Sequence, residues 1–162
     1  MEVTRRPASP MDQDFLYRVY AGSRMAELAP LGWSEDRLQT FLKMQFDAQS
    51  LDYGTRYPSA RFEVILGDQD PIGRLYVDRR KAEIRILDIC LLPEHRNQGL
   101  GTPLVQELLH EAGEAGKTLG ICVESYNPSL RLFERLGFTA IEEDGPLLLL
   151  EWSPPLKSPV NS

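Results

Sequence analysis

The stretch from Ile84 to Gly101 reads Ile-Arg-Ile-Leu-Asp-Ile-Cys-Leu-Leu-Pro-Glu-His-Arg-Asn-Gln-Gly-Leu-Gly. Its first eight residues are almost continuously apolar, which predicts a strand in the interior of a sheet. The segment Arg96-x-x-Gly99-x-Gly101 then leads into residues 102–112, which we predict to be a helix. Strand, glycine-bearing loop and helix in this order bring unpaired backbone N–H groups to the positive end of a helix dipole, so the sequence predicts an anion site.

Three phosphate-binding patterns compete for this loop, and their spacing separates them. A Walker loop requires Lys-Ser or Lys-Thr after its last glycine, and Gly101 is followed by Thr-Pro. A dinucleotide fingerprint requires Gly-x-Gly-x-x-Gly at the head of a βαβ unit, but the order here is Arg-x-x-Gly-x-Gly and about eighty residues precede the strand that leads into this loop. The order Arg-x-x-Gly-x-Gly is typical of the third pattern, a loop that binds a pyrophosphate.

Residues 83–138 resemble the Gcn5-related N-acetyltransferase (GNAT) superfamily, whose members bind the pyrophosphate of acetyl-coenzyme A with such a loop. The resemblance continues downstream through a predicted strand at 118–124, then Asn127-Pro128, then Leu-Phe-Glu-Arg-Leu-Gly-Phe at 132–138. Taken singly, each fragment has a structural explanation: the glycines fit an ordinary strand-to-helix turn, and Gly137 fits a helix C-cap. The three fragments in this order make the resemblance specific.

The resemblance implies a single-domain GNAT-like α/β (α+β) fold over residues 1–152. Its mixed central sheet should have six to seven strands, helices on both faces and a splay between the strands 84–91 and 118–124. From periodicity we predict strands at 3–7, 62–66, 72–77, 138–143 and 147–152, and helices ending near 29, from 34 to about 50, at 102–115 and at 128–136. Residues 53–59 are predicted to be a loop, and the proline-rich residues 153–162 a disordered tail.

Composition limits the classes of function. The 162 residues are 42% hydrophobic and 26% charged, as in soluble globular proteins, and the formal net charge is −6. Clustered Lys and Arg are few, so we expect no nucleic-acid partner, and the absence of a long apolar stretch predicts no membrane partner. A cytoplasmic location follows as the default. Cys90 and Cys122 lack metal-ligand spacing and lie in predicted buried strands, so we expect reduced thiols and no metal.

The resemblance also implies which residues contact acetyl-CoA, the expected acyl donor. Backbone groups of Ile89 and Leu91 should pair with the pantetheine arm, and the Leu91 N–H is the candidate donor to the thioester oxygen. Asn127 corresponds to the family's cofactor-contacting asparagine. Arg131 is placed to meet the 3′-phosphate, with a surface pair to Glu134 as the alternative. The pyrophosphate should be held by the backbone of Arg96, Asn97, Gln98, Gly99, Leu100, Gly101 and Thr102.

Proton transfer is less clearly encoded. Many family members carry a Glu on the strand before the loop, but Arg85 aligns with it here, so the candidate bases are Glu83 and Asp88. Asp88 lies within an apolar strand, where a carboxylate is costly unless paired, and a purely structural role is equally consistent with that position. The family's usual acid, a tyrosine, is replaced by Phe133. Tyr126 is the candidate substitute.

Two classes of function remain from the sequence. The first is an N-acetyltransferase that moves an acetyl group from acetyl-CoA to a primary amine, by direct attack in a ternary complex. The acceptor would be a small molecule or a protein or peptide amine. The second is a non-catalytic module that binds or senses acyl-CoA, motivated by Phe133. The acceptor, the acyl-chain length and the oligomeric state, including a homodimer, are left open. Trp33, Tyr53 and Tyr57 either line an amine pocket or belong to the core.

Overall fold

A computed structural model describes residues 1–155. Seven strands form one sheet in the order β1-β2-β3-β4-β5-β7-β6. The first four strands are β1 (Val3–Pro7), β2 (Arg61–Gly67), β3 (Asp70–Arg79) and β4 (Glu83–Leu91), and the others are β5 (Thr118–Glu124), β6 (Thr139–Asp144) and β7 (Leu147–Trp152). The helices are α1 (Gln13–Leu28), α2 (Glu35–Arg56), α3 (Gly101–Ala115) and α4 (Leu130–Arg135). The predicted mixed sheet is therefore confirmed, with seven strands.

The pairing of the strands mixes both directions. Strand β1 pairs antiparallel with β2, and β7 pairs antiparallel with both β5 and β6. The pair β4 and β5 is parallel, with a register that runs from Glu83 opposite Thr118 to Ile86 opposite Ile121. Both strands continue beyond this register, to Leu91 and Glu124. The predicted splay concerns those later residues and stays a prediction.

Contacts divide the described chain into two compact units, Met1–Tyr76 with Asp88–Leu100, and Val77–Leu87 with residues 101–155. In the first unit, α1 and α2 bury apolar side chains against β2, with Leu16, Tyr20, Leu28, Leu42, Phe46 and Val64 at the centre. In the second unit, α3 buries Leu104, Val105, Leu108 and Ala112, the positions that an amphipathic helix presents to a core.

Helix α2 is longer than predicted. Ser34 caps it as expected, because the Ser34 Oγ accepts the Arg37 N–H at 3.2 Å. The helix then continues to Arg56, so the prediction of a loop at 53–59 was wrong for its first four residues. The reason is tertiary packing: the Tyr53 ring lies 5.3 Å from the Tyr76 ring, and this contact holds the last turns of the helix despite Gly54.

Two smaller expectations also change. Helix α4 begins at Leu130, because the Asn127 Oδ1 accepts the Ser129 N–H at 2.9 Å and this turn replaces the first helical residues. Cys122 is exposed and not buried, because alternation along β5 buries Leu119, Ile121 and Val123 instead. Both cysteines are free thiols. Of the predicted disordered tail, residues 156–162 lie outside the described residues.

Candidate functional site

The loop after β4 contains two residues with positive φ, of which Gly99 is one of the two glycines that the sequence singled out. A short 3-10 turn at Pro93–His95 is followed by Asn97 at φ 59° and Gly99 at φ 74°. A Cβ built on Gly99 would meet no atom within 4 Å, so glycine is favoured there by the positive φ and not by crowding within the chain. Gly101 has no positive φ, and its Cβ would make an ordinary 3.7 Å contact with Leu132. Helix α3 begins at Gly101 itself.

Two side chains of the loop turn back onto the backbone that precedes it. The Arg96 Nε donates to the Leu91 carbonyl oxygen at 3.0 Å, and the Gln98 Nε2 donates to the Glu94 carbonyl oxygen at 2.9 Å. Arg96 therefore ties the loop to the end of β4 and is not directed toward an anion by this contact. The Gln98 bond folds this side chain back along the loop, whose backbone N–H groups are the expected contacts of an anion.

Strand β4 approaches β3 very closely near its end. A Cβ on Gly73 would lie 2.3 Å from the Cys90 carbonyl oxygen and 3.1 Å from the Leu91 Cα, so only glycine fits at this position. The Leu92 N–H donates to the Ile72 carbonyl oxygen at 2.8 Å, which fixes the exit of the strand. The backbone of Leu91, the candidate oxyanion donor, thus lies close against β3.

Asn127 and Arg131 differ in how far their side chains are engaged. The Asn127 Oδ1 accepts both the N–H and the hydroxyl of Ser129, and its Nδ2 donates to the Glu124 Oε2 at 3.2 Å. Asn127 therefore organises the turn before α4. Its Oδ1 and Nδ2 already have partners within the chain, and a contact with a cofactor would be made in addition to them. Arg131 is exposed, and within residues 1–155 it forms no ion pair. The alternative of a pair with Glu134 is not seen there.

Asp88 is paired with a residue that the sequence analysis did not single out. The Arg74 Nε donates to the Asp88 Oδ2 at 2.5 Å, and the Arg74 Nη2 donates to the Gln49 Oε1 at 3.0 Å. Arg74 is only 3% exposed, while the Asp88 side chain keeps 27% of its surface. A signal was present in the sequence: Arg74 and Asp88 are opposite charges in two apolar strands that neighbour each other in the chain, a pattern that indicates a buried ion pair.

The surroundings of this pair are aromatic and apolar. The Arg74 guanidinium carbon lies 4.9 Å from the centre of the Tyr76 ring and 5.9 Å from that of Tyr20. Burial lowers the pKa of Arg74, but the charge and hydrogen bond of Asp88, together with Tyr76 and Tyr53, outweigh burial, and the net pKa is raised. Burial, helped by the Asp88 charge, raises the pKa of Tyr53, and burial raises that of Tyr76. Both phenols therefore keep their protons at neutral pH.

Glu83, the other candidate base, lies at the opposite end of β4 between two partly exposed cations. Its Oε1 accepts from Arg80 Nη1 at 3.1 Å, and its Oε2 accepts from Arg85 Nε at 2.8 Å. Gly120 leaves the space for this arrangement, because a Cβ there would lie 2.6 Å from the Glu83 Oε2. Both carboxylate oxygens are thus engaged, and the geometry resembles a surface ion network.

Tyr126, the candidate acid, and Phe133, which stands where the family usually has its acid, lie in opposite environments. Phe133 is fully buried and packs against Phe138 at a ring distance of 5.2 Å. Tyr126 is 69% exposed. The structure therefore assigns Phe133 to the core and leaves the Tyr126 hydroxyl accessible from solvent.

A cavity of about 440 Å³ lies between the start of α1 and the end of α2. Its wall is mostly apolar and includes Leu16, Tyr53, Gly54, Phe62 and Tyr76. The rings of Phe62 and Tyr76 meet edge to face at 4.9 Å. Tyr53 and Tyr76 belong to this wall and also to the surroundings of Arg74 and Asp88, so one cavity and one ion pair share two aromatic side chains.

Neither a metal cluster nor a membrane span is found in the part of the chain that the structure describes. Within residues 1–155, no group of three or more His, Cys, Asp or Glu side chains is arranged to hold a metal ion. In the same residues, no helix combines the length and the apolar character needed to cross a membrane.

Comparison with known proteins shows similarity in sequence over part of the chain and similarity in fold over most of it. Residues 76–145 match the family model described as FR47-like protein. The search of curated proteins gives no match. The PaiA N-acetyltransferase of Thermoplasma acidophilum, solved in complex with coenzyme A, superposes with a TM-score of 0.71 at 19% identity, covering 94% of this chain and 99% of that one.

Two further solved structures agree with this fold. The histone acetyltransferase HPA2 and related acetyltransferase from Corynebacterium glutamicum gives a TM-score of 0.68 at 19% identity, covering 99% of this chain and 100% of that one. An acetyltransferase from Thermus thermophilus gives 0.66 at 21% identity, covering 94% of this chain and 97% of that one. The fold that the resemblance implied is therefore confirmed by these structures, and the family match covers residues 76–145.

Proposed function

The chain carries an FR47-like segment within the fold of the GNAT acetyltransferases, and from this premise we propose that it is an acyl-CoA-dependent N-acetyltransferase with a primary amine as acceptor. The observation that carries the proposal is the loop Arg96–Leu100. Positive φ angles at Asn97 and Gly99, side chains folded back at Arg96 and Gln98, and a helix that begins at Gly101 leave backbone N–H groups for a pyrophosphate. The coenzyme A complex of the Thermoplasma protein supports the same ligand class.

The proposed reaction transfers an acetyl group from a thioester to an amine. Acetyl-CoA supplies the acetyl group as a thioester. The neutral amine nitrogen forms a bond to the thioester carbon, the carbon–sulfur bond breaks, and the proton lost by nitrogen is finally matched by one gained by the sulfur. In this chain the Leu91 N–H is the proposed donor that stabilises the developing oxyanion. Tyr126, which is 69% exposed, stays the candidate acid.

A ligand-binding test of the loop is available with a matched control. Acetyl-CoA should raise the melting temperature of the wild type, because a ligand bound only by the folded state stabilises it. Gly99→Asp should abolish this shift, since it adds a negative charge where phosphate is expected. Gly116→Asp is the control: Gly116 also has a positive φ, 67°, and open space around its Cβ, so it suffers the same backbone strain outside the loop.

Gly101→Asp separates charge from strain. Gly101 lacks a positive φ, and an acidic residue in the first turn of a helix is favourable, so the variant should fold at least as well as the wild type. It should nevertheless lose the acetyl-CoA shift. If both Gly99→Asp and Gly101→Asp keep the full shift, the pyrophosphate assignment fails.

The second candidate function, a non-catalytic acyl-CoA-binding module, is favoured by one observation. Phe133 is fully buried in the core at the position where the family's usual acid stands. The two functions are distinguished by measuring thiol release from acetyl-CoA with a panel of primary amines, beside acetyl-CoA binding in their absence. Release above the amine-free rate supports the transferase. Binding without release across small and peptide amines supports the module.

A further inference from the structure

Gly22 lies in the interior of helix α1, where glycine is less favourable than alanine because its backbone loses more freedom on folding. Its φ is not positive, so the local backbone conformation does not call for a glycine. A Cβ built on Gly22 would lie 3.0 Å from the Pro93 Cδ and 3.1 Å from the Pro93 Cγ. The close contact with Pro93 is therefore the structural reason for a glycine at this position.

The same face of α1 also contacts the end of β4. Val19 precedes Gly22 by three residues, which places the two on one face of the helix. The Val19 carbonyl oxygen lies 4.0 Å from the Cys90 Sγ, which donates to it. Cys90 is the next-to-last residue of β4, and Pro93 begins the 3-10 turn that follows the strand. One face of α1 therefore packs against the strand end and against the turn that leads into the loop.

Pro93 transmits a displacement to the loop. Its ring is bonded to its own backbone at two atoms, so the ring cannot rotate away as a free side chain does. Pro93 is exposed, so the turn has room to move toward solvent when α1 presses on it. The Pro93 carbonyl oxygen accepts the Arg96 N–H at 3.2 Å, and the Glu94 carbonyl oxygen accepts from the Gln98 Nε2 at 2.9 Å. The backbone from Arg96 onward therefore follows the position of the turn.

We propose that the contact between Gly22 and Pro93 sets the position of the loop Arg96–Leu100, and that Gly22 is a positioning residue for the binding of acetyl-CoA. Gly22 acts through Pro93 and does not touch the ligand. Several N–H groups of the loop converge on one anion, so a shift of a few tenths of an ångström in the turn weakens several hydrogen bonds together. The inference rests on the proposed function for its ligand, and on the Gly22–Pro93 contact alone for the position of the loop.

The test compares Gly22→Ala with Gly54→Ala in the full chain. Both glycines lie inside helices without a positive φ, so both substitutions favour the helix, but a Cβ on Gly54 would meet no atom within 4 Å. Titration calorimetry should show acetyl-CoA binding about 3- to 10-fold weaker in Gly22→Ala than in the wild type, because the donors of the loop leave their best geometry. Gly54→Ala should bind as the wild type does. Equal affinity of Gly22→Ala and the wild type overturns the proposal.

A double-mutant cycle separates this contact from a general effect on α1. Pro93→Ala removes the Cγ and Cδ atoms that the new Cβ would meet. In the Pro93→Ala background, Gly22→Ala should therefore cause no further loss of acetyl-CoA affinity. A general change in the helix would instead cause the same loss in both backgrounds, and that result overturns the proposal. Circular dichroism of all four proteins checks that each is folded.

The position of the loop is also measurable without acetyl-CoA. Amide NMR spectra of the ligand-free protein should show shifted signals for residues 97–100 in Gly22→Ala, but not in Gly54→Ala. Unchanged signals in Gly22→Ala overturn the inference. If these signals shift and the wild type does not bind acetyl-CoA, the proposed function fails while the role of Gly22 in placing the loop stands. If the wild type and Gly22→Ala bind acetyl-CoA equally tightly, the inference fails while the proposed function stands.

Discussion

Two carboxylates on β4, Glu83 and Asp88, differ mainly in the cations that face them. Asp88 pairs with one guanidinium that is almost fully buried. Glu83 pairs with Arg80 and Arg85, whose side chains are 37% and 21% exposed. Removing a buried cation's partner leaves its charge unsolvated, whereas water replaces a lost partner at an exposed one. The same strand thus carries one ion pair that is costly to break and one that is cheap.

The largest expected effect is on the buried pair. Asp88→Asn should lower the free energy of unfolding by about 3 to 5 kcal/mol, because Arg74 remains buried without its counter-charge. Urea denaturation followed by circular dichroism measures the change. The double variant Arg74→Met/Asp88→Asn is the control and should recover part of the loss, since it removes the orphaned charge as well. A loss below about 1 kcal/mol for Asp88→Asn would mean that water reaches Arg74 and that the two carboxylates are alike.

A third carboxylate extends the comparison to acid pH. Asp12 accepts two hydrogen bonds from the Arg6 guanidinium, both at 2.8 Å, and one from the Ser9 N–H. Hydrogen bonds from Arg6, opposed by burial, lower the pKa of Asp12 from 3.8 to about 2. A lowered pKa stabilises the folded state at all pH values above the unfolded pKa, and this stability is lost as pH falls through the folded pKa.

The measurable consequence is the pH dependence of stability between pH 4 and pH 2. The wild type should lose about 1 to 2 kcal/mol over this interval from Asp12, a value reduced for the solvent exposure of Arg6. Asp12→Asn should show a correspondingly flatter profile in thermal unfolding at a series of pH values. Parallel profiles for the two proteins would show that Asp12 keeps an ordinary pKa.

The fold and the loop were readable from the sequence because they depend on local patterns. Apolar runs located the strands, and helical spacing located the helices. The order of glycines before α3 located the loop, in which the structure has positive φ angles at Asn97 and Gly99. These signals lie within a few residues of one another. The end of α2 was missed because the contact of Tyr53 with Tyr76, which stabilises it, joins residues far apart in the chain.

The partner of Asp88 was missed for the same physical reason. The sequence showed that a carboxylate in an apolar strand needs a partner, but the choice of Arg74 depends on the register between β3 and β4, which no local pattern fixes. Likewise, Cys122 was expected inside because its strand is apolar on average, and the alternation along β5 exposes it. Tertiary register, and not propensity, decides such side-chain environments.

A smaller effect is expected for the pairs that Glu83 forms with two partly exposed cations. Glu83→Gln should change the free energy of unfolding by less than about 1 kcal/mol, because Arg80 and Arg85 are solvated when the carboxylate is lost. A double-mutant cycle with Arg85→Leu should give a coupling energy in the same range. A coupling of several kcal/mol would show instead that the Glu83 end of β4 is as strongly coupled as the Asp88 end.

The smallest expected effect separates the two pairs by their response to salt. At 1 M NaCl the Debye length is about 3 Å, so interactions between exposed charges are almost fully screened, whereas a buried pair excludes the ions that would screen it. The destabilisation by Glu83→Gln should therefore shrink by a few tenths of a kcal/mol, to within error of zero, between low salt and 1 M NaCl. That by Asp88→Asn should stay constant, because Arg74 is 3% exposed. Urea denaturation of both variants and the wild type at the two salt concentrations gives the comparison directly. If the Asp88→Asn difference falls in proportion with that of Glu83→Gln, the Arg74 pair is accessible to ions, and the distinction between the two carboxylates of β4 is lost.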